Sequence, residues 1–157
     1  MRTISKKTQY GLKAMQALAW RYREGPVLIG TLAREEAIPV KFLEVILLDL
    51  KGHGLLESRL GRKGGYRLSR PPSTVTIGSI IRILEGPLAP LPCASETAYK
   101  ACEECTDVES CGTRIIMREV RDAVSEVLDR TTLADLLRRV EARRLENATR
   151  EPLMYHI

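Results

Sequence analysis

Apolar residues recur every three or four positions along most of this chain, and the pattern predicts a mainly α-helical protein. Ser5 and Thr76 precede two of the apolar stripes and are predicted N-caps, because their hydroxyls can accept hydrogen bonds from the first backbone N–H groups of a helix. Glycine and proline interrupt the pattern at 25–26 and 86–87. Helices are expected at about 5–22, 29–36, 40–51, 76–85 and 113–130, with a further helix after 131.

The second and third predicted helices are separated by a short turn at 37–39, which is typical of a helix-turn-helix. Pro39 suits the start of the third helix, since its missing N–H is not needed there. Lys41, Glu44 and Lys51 are expected to point outward from that helix. Its buried stripe is predicted to contain Phe42, Leu43, Ile46, Leu47 and Leu50.

The next segment, LLESRLGRKGGYRLSRPP, alternates apolar and polar residues on both sides of a glycine-rich tip at 61–65. This alternation predicts a β-hairpin. The alternating positions are Leu56, Ser58 and Leu60 before the tip and Tyr66 and Leu68 after it. The cations that make the hairpin strongly basic are Arg59, Arg62, Lys63 and Arg67. A helix-turn-helix followed by a basic hairpin predicts a winged helix, so the fold class is mainly α with a small β-wing.

The distribution of charge indicates a polyanionic partner. Residues 1–75 contain 14 Lys+Arg and 6 Asp+Glu, a net charge of +8, whereas residues 76–157 contain 11 and 14, a net charge of −3. A strongly basic half is typical of a nucleic-acid-binding protein. Lys6, Lys7 and Lys13 lie near the start of the first helix, where lysines and backbone N–H groups can hold a phosphate. The alternative for these lysines is an ordinary solvated surface.

The sequence does not favour an enzyme. His53 and His156 lie beside a turn and in the tail, and no glycine-rich phosphate-binding motif precedes a helix. A small redox or electron-transfer protein is the rival interpretation. No apolar run is long enough to span a membrane, and the first residues lack the apolar core of a signal peptide, so we expect a cytoplasmic protein.

The most distinctive segment contains all four cysteines within nineteen residues, at Cys93, Cys102, Cys105 and Cys111. The residues between them are small, polar and acidic, which predicts a loop. Disulfides are disfavoured in a chain without an export signal. Structural zinc prefers two C-x2-C knuckles, and only Cys102 and Cys105 form one. An iron–sulfur cluster tolerates irregular spacing because the cluster is itself several ångströms wide, and spacing alone does not separate it from zinc.

After the last cysteine the chain becomes helical again, and four of its apolar positions follow a coiled-coil-like spacing. These positions are Ile116, Val120, Ala123 and Val127. Such a stripe suits packing against another long helix. The partner is either the same helix of a second chain or an element of the same domain, and the sequence leaves both open.

Taken together, these features resemble the Rrf-two-type winged helix-turn-helix transcriptional regulators, the family that includes IscR, NsrR, RirA and CymR. The resemblance runs from residue 1 to about 140. It is carried by the opening SKKTQYGLKAM, the helix IPVKFLEVILLDLKGHGLL, the wing GRKGGYRL, the cysteine loop and the closing TTLADLL.

The resemblance implies a homodimer that binds palindromic promoter DNA, with the long helix as its dimerisation helix. Many members of the family carry a 2Fe–2S or 4Fe–4S cluster on three clustered cysteines. Cys105 and Cys111 match the spacing of the family's last two ligands, and Cys93 matches the first. The interval from Cys93 to Cys105 is longer than in the family pattern, and Cys102 is an addition. We therefore expect a regulator that senses iron, redox state or nitric oxide, with zinc as the alternative metal.

The sequence and the resemblance together predict four units. They are a DNA-binding domain at 1–86, a cluster-binding loop at 87–112, dimerisation and C-terminal helices at 113–145, and a weakly ordered tail at 146–157. All four cysteines are candidate metal ligands. The candidate DNA contacts are Lys6, Tyr10, Lys41, Glu44, Lys51, Arg59, Arg62, Lys63, Gly64, Gly65 and Tyr66.

Overall fold

The fold is given by a computed structural model, which describes residues 4–105 and 107–150. Within these residues the chain forms helices at nearly all of the predicted places and one antiparallel hairpin. The elements are α1 (Lys6–Trp20), α2 (Ile29–Glu35), α3 (Val40–Gly52), β1 (Leu56–Arg59), β2 (Gly65–Leu68), α4 (Ile77–Glu85), α5 (Gly112–Arg130) and α6 (Leu133–Arg150). Short 3-10 turns lie at Pro72–Thr74 and Pro92–Ala94. No helix in the described part of the chain is long and apolar enough to cross a membrane.

Two helix ends differ from the prediction. Helix α1 ends at Trp20 rather than near Tyr22, and residues 21–24 form a turn in which Glu24 N–H donates to the Arg21 carbonyl at 2.9 Å. Helix α6 continues to Arg150, so residues 146–150, predicted as part of a weakly ordered tail, are helical. The remaining tail and His156 lie outside the described residues.

Helices α1, α3 and α4 supply most of the hydrophobic core, as their apolar stripes predict. Ser5 and Thr76 cap α1 and α4 by accepting backbone N–H bonds from Thr8 and Ser79. The large side chains buried most deeply are Met15, Leu18, Leu32, Leu43, Ile46, Leu47, Leu50, Leu55, Leu68, Val75, Ile80 and Leu133. Because Leu133 belongs to α6, the last helix contributes to the same core as the first.

The prediction for Phe42 was wrong. Its side chain is 41 % exposed and packs edge-on against Tyr10 of α1, with the ring centroids 5.7 Å apart. The other residues of the predicted stripe are fully buried, because they share one side of α3. Phe42 falls on the flank of that side, where it reaches α1 but remains open to solvent.

The turn between α2 and α3 contains a residue in an unusual conformation. Ala37 has a φ of 53°, in the left-handed region that glycine favours. The Ile38 N–H donates to the Ala33 carbonyl at 2.9 Å and closes this turn. The turn predicted at 37–39 is therefore confirmed, and its tightness holds Ala37 in a strained conformation.

The hairpin, which we call the wing (56–68), is confirmed with a register that pairs Leu56 with Leu68 and Arg59 with Gly65. Leu56 and Leu68 are buried and anchor the wing on the core. Leu60, predicted to continue the alternation of the first strand, instead lies in the turn and is almost fully exposed.

The corner between α5 and α6 is fixed to the start of α4. Ile77 N–H donates to the Thr131 carbonyl at 2.8 Å, and Leu133 N–H donates to the Val75 carbonyl at 2.9 Å. Arg82 also makes a two-pronged ion pair with Asp129, which raises the pKa of Arg82 and lowers that of Asp129 chiefly through hydrogen bonding. These bonds attach the C-terminal end of α5 to α4.

Candidate metal centre and nucleic-acid interface

All four cysteines line one pocket of about 270 Å³ beside the start of α5. Two of them lie where regular structure begins or ends: Cys93 is in the 3-10 turn, and Cys111 directly precedes α5. Cys102 and Cys105 lie between them, joined by a bond from the Cys105 N–H to the Cys102 carbonyl at 3.3 Å. Cys102 is exposed, and the other three are half-buried. The cysteine loop (93–111) therefore places its four cysteines around one pocket.

Two arginines of α5 hold the cysteine loop against that helix. Arg114 donates to the Cys93 carbonyl at 3.0 Å and to the Val108 carbonyl at 3.4 Å, and so joins both ends of the loop. Arg121 donates to the Ala94 carbonyl at 2.5 Å. The two arginines are seven residues apart, close to two full helical turns, so they share one side of α5. The first part of the loop lies along that side.

The two arginines have different surroundings. Arg121 is buried, and its guanidinium also lies 3.2 Å from a Glu96 carboxylate oxygen. Arg114 is half-buried, lines the cysteine pocket, and stacks over Tyr99 at 6.0 Å from the ring centroid. Neither residue was among those predicted from the sequence. No signal in the sequence marks them, because the groups that they bind in the loop are backbone carbonyls.

The surroundings of Cys105 disfavour the thiolate form of its side chain. Desolvation raises the pKa of the Cys105 thiol, and the nearby charges of Cys111 and Cys102 raise it further. Asp107 accepts from the N–H groups of Glu109 and Ser110 and from the Ser110 hydroxyl, and these bonds lower the pKa of its carboxyl group. The turn before Cys111 is thus held by an ionised side chain.

The donor set fits a soft metal centre. Four thiolates are the ligands that zinc and iron–sulfur clusters prefer, and here they surround a pocket rather than lie on separate surfaces. Across residues 4–105 and 107–150, no three histidine, cysteine or carboxylate side chains form a group ready to hold a single ion. Cys93, Cys102, Cys105 and Cys111 are the residues that would hold a cluster.

The second candidate site is the face formed by α3 and the wing. Lys41 and Glu44 are exposed on α3, as predicted. Lys51 is exposed too, but its amine donates to the Ser58 hydroxyl of the wing at 2.7 Å. The side chains of Arg59, Arg62 and Lys63 are exposed and make no hydrogen bond or ion pair with any described residue. Arg67 is paired with Glu57 across the hairpin, so it contributes less free positive charge than the sequence suggested.

The start of α1 is occupied by a carboxylate of the protein itself. Glu85 accepts from the Ser5 N–H at 3.0 Å and from the hydroxyls of Ser5 and Thr8, each at 2.6 Å. These donors are used within the fold, so a phosphate contact here depends on the exposed Lys6 side chain. Tyr10 is half-buried against Phe42 and has little of its ring free.

The wing glycines and Tyr66 have clear structural roles. A Cβ on Gly64 would lie 2.1 Å from the Arg59 carbonyl oxygen, and one on Gly65 would lie 2.1 Å from the Val27 carbonyl oxygen. Tyr66 exchanges two backbone bonds with Val27, at 2.8 and 2.9 Å. The close approach that requires glycine is therefore made to the protein's own backbone, and any DNA contact by these residues is additional.

Comparison with known proteins agrees with this architecture. Residues 4–139 match the family model described as Rrf2, iron-dependent transcriptional regulator. An Rrf2-like HTH-type transcriptional regulator of Rhodobacter capsulatus is 40 % identical over 137 residues, which cover 85 % of this chain and 91 % of the relative.

Two solved structures share the fold. The structure of CymR, the global cysteine regulator of B. subtilis, is 38 % identical with a TM-score of 0.72 and covers 87 % of this chain and 96 % of its own. The IscR of T. potens is 32 % identical with a TM-score of 0.71, covering 90 % of both chains. The winged helix, the cysteine loop and these likenesses lead to one conclusion: the chain belongs to the Rrf2 family of DNA-binding transcriptional regulators, which are not enzymes.

Proposed function

We propose that this regulator is a homodimer whose binding to palindromic promoter DNA is controlled by an iron–sulfur cluster on the cysteine loop. The observation that carries the proposal is the convergence of all four cysteines on one pocket against α5. The family's description as iron-dependent agrees with it. When bound, the cluster would supply a centre that responds to iron supply, oxidation or nitric oxide.

The arrangement of the thiols favours a cluster over zinc. A cluster takes its ligands at separate iron corners, which suits thiols spread around a pocket of about 270 Å³. Tetrahedral zinc is usually bound by two short knuckles, and this loop has only the one at Cys102 and Cys105. Cys93, Cys105 and Cys111 are the three expected ligands. Cys102 is the only exposed member of the set and is the candidate fourth ligand.

The DNA contacts are proposed to come from α3 and the wing. As the second helix of the helix-turn-helix, α3 would enter the major groove, with Lys41 and Glu44 near its start. The exposed wing cations Arg59, Arg62 and Lys63 would neutralise phosphates beside that groove. The wing glycines and Tyr66 would support the hairpin, and Lys6, Tyr10 and Lys51 would lie at the edges of the contact.

The exposed stripe of α5 supports the homodimer. Ile116 and Val127 are 52 % and 58 % exposed, while the opposite side of the same helix carries the arginines that hold the cysteine loop. This apolar stripe therefore stays largely uncovered by the residues that the structure describes. An identical α5 would cover it by two-fold pairing, and a two-fold axis is what a palindromic DNA site requires. Sedimentation equilibrium of the intact protein should give the mass of two chains.

The loop and the dimer helix are connected through Arg114 and Arg121. Both side chains donate to carbonyl groups of the loop, and both leave α5 on one side. If residues 93–111 became more or less ordered, the hydrogen bonds that connect them to α5 would therefore change as well. Because two copies of α5 would set the spacing between the two α3 helices, the state of the loop would bias DNA affinity.

The test is a set of single substitutions under anaerobic reconstitution, with visible absorption and iron and sulfide content as readouts. Cys93→Ala, Cys105→Ala and Cys111→Ala should each abolish cluster retention, because a three-thiolate site has no spare ligand. Cys102→Ala should lower retention or change the spectrum if this thiol is the fourth ligand. Thr97→Ala, an exposed position of the same loop, is the matched control and should leave the spectrum unchanged.

Two outcomes would contradict the proposal. If the wild-type protein takes up no iron and binds stoichiometric zinc, the site is structural. If it binds neither metal, it is a cluster-free regulator. In both cases DNA binding by the winged helix would stand, and only the sensing mechanism would fail.

A further inference from the structure

The outward side of α3 is apolar at its centre. Leu43, Ile46, Leu47 and Leu50 face the core, so the positions directly opposite them are 41, 45 and 48, at steps of four and three residues. We call Lys41, Val45 and Leu48 the outward ridge. Val45 is 55 % exposed and Leu48 is 52 % exposed. Phe42 is not part of this ridge, because its ring turns toward Tyr10.

The surroundings of this ridge favour DNA as the molecule that covers it. Lys41 lies one turn before Val45, and Lys51 follows Leu48 by three residues. The wing beside α3 carries the exposed cations Arg59, Arg62 and Lys63, and residues 1–75 have a net charge of +8. Cations at both ends of two apolar side chains, with more on the neighbouring wing, complement the phosphate backbone beside a groove better than an apolar protein surface.

Valine and leucine side chains have no hydrogen-bond donor or acceptor, so they cannot read the polar edges of bases. The apolar group that the major groove offers is the C5-methyl of thymine. We propose that Val45 and Leu48 read thymine methyl groups, so that each half-site carries A·T base pairs where the outward ridge meets it. This inference rests on the proposed entry of α3 into the major groove, and it adds what α3 selects there.

The geometry limits the number of base pairs involved. Val45 and Leu48 are three residues apart, which is about 4.5 Å along the helix axis. That distance corresponds to one or two base-pair steps of B-DNA at about 3.4 Å each. The two side chains therefore read one thymine each at adjacent or next-but-one positions, while Lys41 and Glu44 remain available for polar contacts beside them.

The experiment begins with the full-length protein and random double-stranded DNA, from which bound sequences are selected. Each half-site recovered should contain thymine at one or two fixed positions. Each of these thymines is then replaced by deoxyuridine, which pairs with adenine but lacks the C5-methyl group. Affinity should fall by about four-fold for each methyl group in contact, the factor expected for one buried carbon at 25 °C.

Each methyl contact is assigned to a residue by measuring the binding of protein variants to both the thymine and the deoxyuridine form of the site. Val45→Ala should remove the thymine–deoxyuridine difference at one position, and Leu48→Ala should remove it at the other. Both side chains are exposed, so neither change should unfold the protein. Lys41→Ala is the matched control on the same ridge: it should weaken binding and its salt dependence but preserve the four-fold methyl effect.

Three results would overturn the inference. If deoxyuridine leaves specific binding unchanged at every position, Val45 and Leu48 do not read methyl groups. The proposed entry of α3 into the major groove would still stand. A methyl effect that persists in both Val45→Ala and Leu48→Ala would assign it to other residues. If the selection enriches no sequence, α3 does not read bases, and both the proposed base contacts of α3 and this inference fail.

Discussion

The winged-helix domain and the cysteine loop lie in contact, yet they are held together by different forces. The domain is built on fully buried leucine, isoleucine and methionine side chains from α1, α3, α4 and α6. The cysteine loop buries only Ala94 and Ser95 among its described residues and is joined to α5 mainly by hydrogen bonds from two arginines. One region keeps its shape through apolar burial, and the other through a few polar contacts.

This difference shows how a regulator can change one part without unfolding the rest. Segments with few buried apolar contacts open at a small fraction of the global free energy of unfolding. The cysteine loop belongs to that class, and a metal centre on its four thiols would add the cross-links that apolar packing does not provide. The winged helix would keep its DNA-binding surface in either state of the loop.

The largest expected effect comes from breaking the apolar region. Leu47 is fully buried on α3, so Leu47→Ala should destabilise the protein by about 2–5 kcal/mol through reduced burial and a residual cavity. Urea unfolding followed by circular dichroism measures this. Val45→Ala, on the exposed side of the same helix, should change stability by less than about 0.5 kcal/mol. Equal losses of stability would mean that α3 does not pack as described.

The next effect comes from breaking the polar attachment of the loop. Arg121→Ala leaves the buried Ala94 carbonyl without its donor, at a cost of about 1–3 kcal/mol. Hydrogen exchange should become faster in residues 93–111 but stay unchanged in α1 and α3, and cluster retention should fall. Arg118→Ala, an exposed arginine of the same helix, is the control. Uniformly faster exchange would show that Arg121 supports the whole fold instead.

A third test concerns the cations of the wing. Arg62→Ala combined with Lys63→Ala should weaken binding to specific and non-specific DNA alike, because these side chains would touch phosphate groups. The slope of log K against log salt should fall in magnitude by about 0.9 for each phosphate that is no longer neutralised. Arg139→Ala, which removes one exposed cation from α6, should leave the slope unchanged. An unchanged slope in the double variant would place the wing away from DNA.

A smaller, stabilising effect is expected at the helix-turn-helix corner. The left-handed conformation of Ala37 costs about 1–2 kcal/mol, of which a glycine would recover the greater part. Glycine also makes the unfolded chain more flexible by about 0.4–1 kcal/mol. Ala37→Gly should therefore raise stability by about 0.5–1 kcal/mol in urea unfolding. Ala142→Gly, inside α6, should lower it by about 1 kcal/mol.

The smallest effect is a pH dependence at the start of α6. Hydrogen bonds from the Thr132 hydroxyl and N–H, with help from Arg138, lower the pKa of Asp135 from 3.8 to about 2. Because the pKa is lower in the folded state, the ionised carboxylate stabilises the fold above about pH 4, and this contribution disappears as the pH falls through 2. Asp135→Asn should flatten the stability profile between those values in thermal melts. Glu141→Gln should not.

The winged helix could be predicted from sequence because its signals are local and agree with one another. The capping residues Ser5 and Thr76, the apolar stripe of α4 and the glycine-rich tip of the hairpin each determine one element. Phe42 and Leu60 were placed wrongly because residues at the flank of a stripe or the end of a strand depend on tertiary neighbours. A residue's spacing predicts its side of a helix but not what lies against it.

The candidate site could be predicted only in part for a related reason. The four cysteines were visible as a cluster in sequence, and their pocket followed from their being on one short loop. Arg114 and Arg121 were not visible, because their partners are backbone carbonyls, which leave no mark in the sequence. The role of Glu85 at the start of α1 was hidden for a similar reason, since it lies 80 residues from Ser5.

Control of DNA binding by the cysteine loop is tested most directly by comparing the DNA affinity of one protein preparation with and without its cluster. Fluorescence anisotropy under anaerobic conditions, on DNA selected by the protein, would measure both states at the same salt concentration. We predict affinities that differ by at least about five-fold. We also predict that Cys105→Ala, taken through the same reconstitution, shows no change. Equal affinities for the cluster-loaded and cluster-free wild type would contradict the claim that the cysteine loop controls DNA binding.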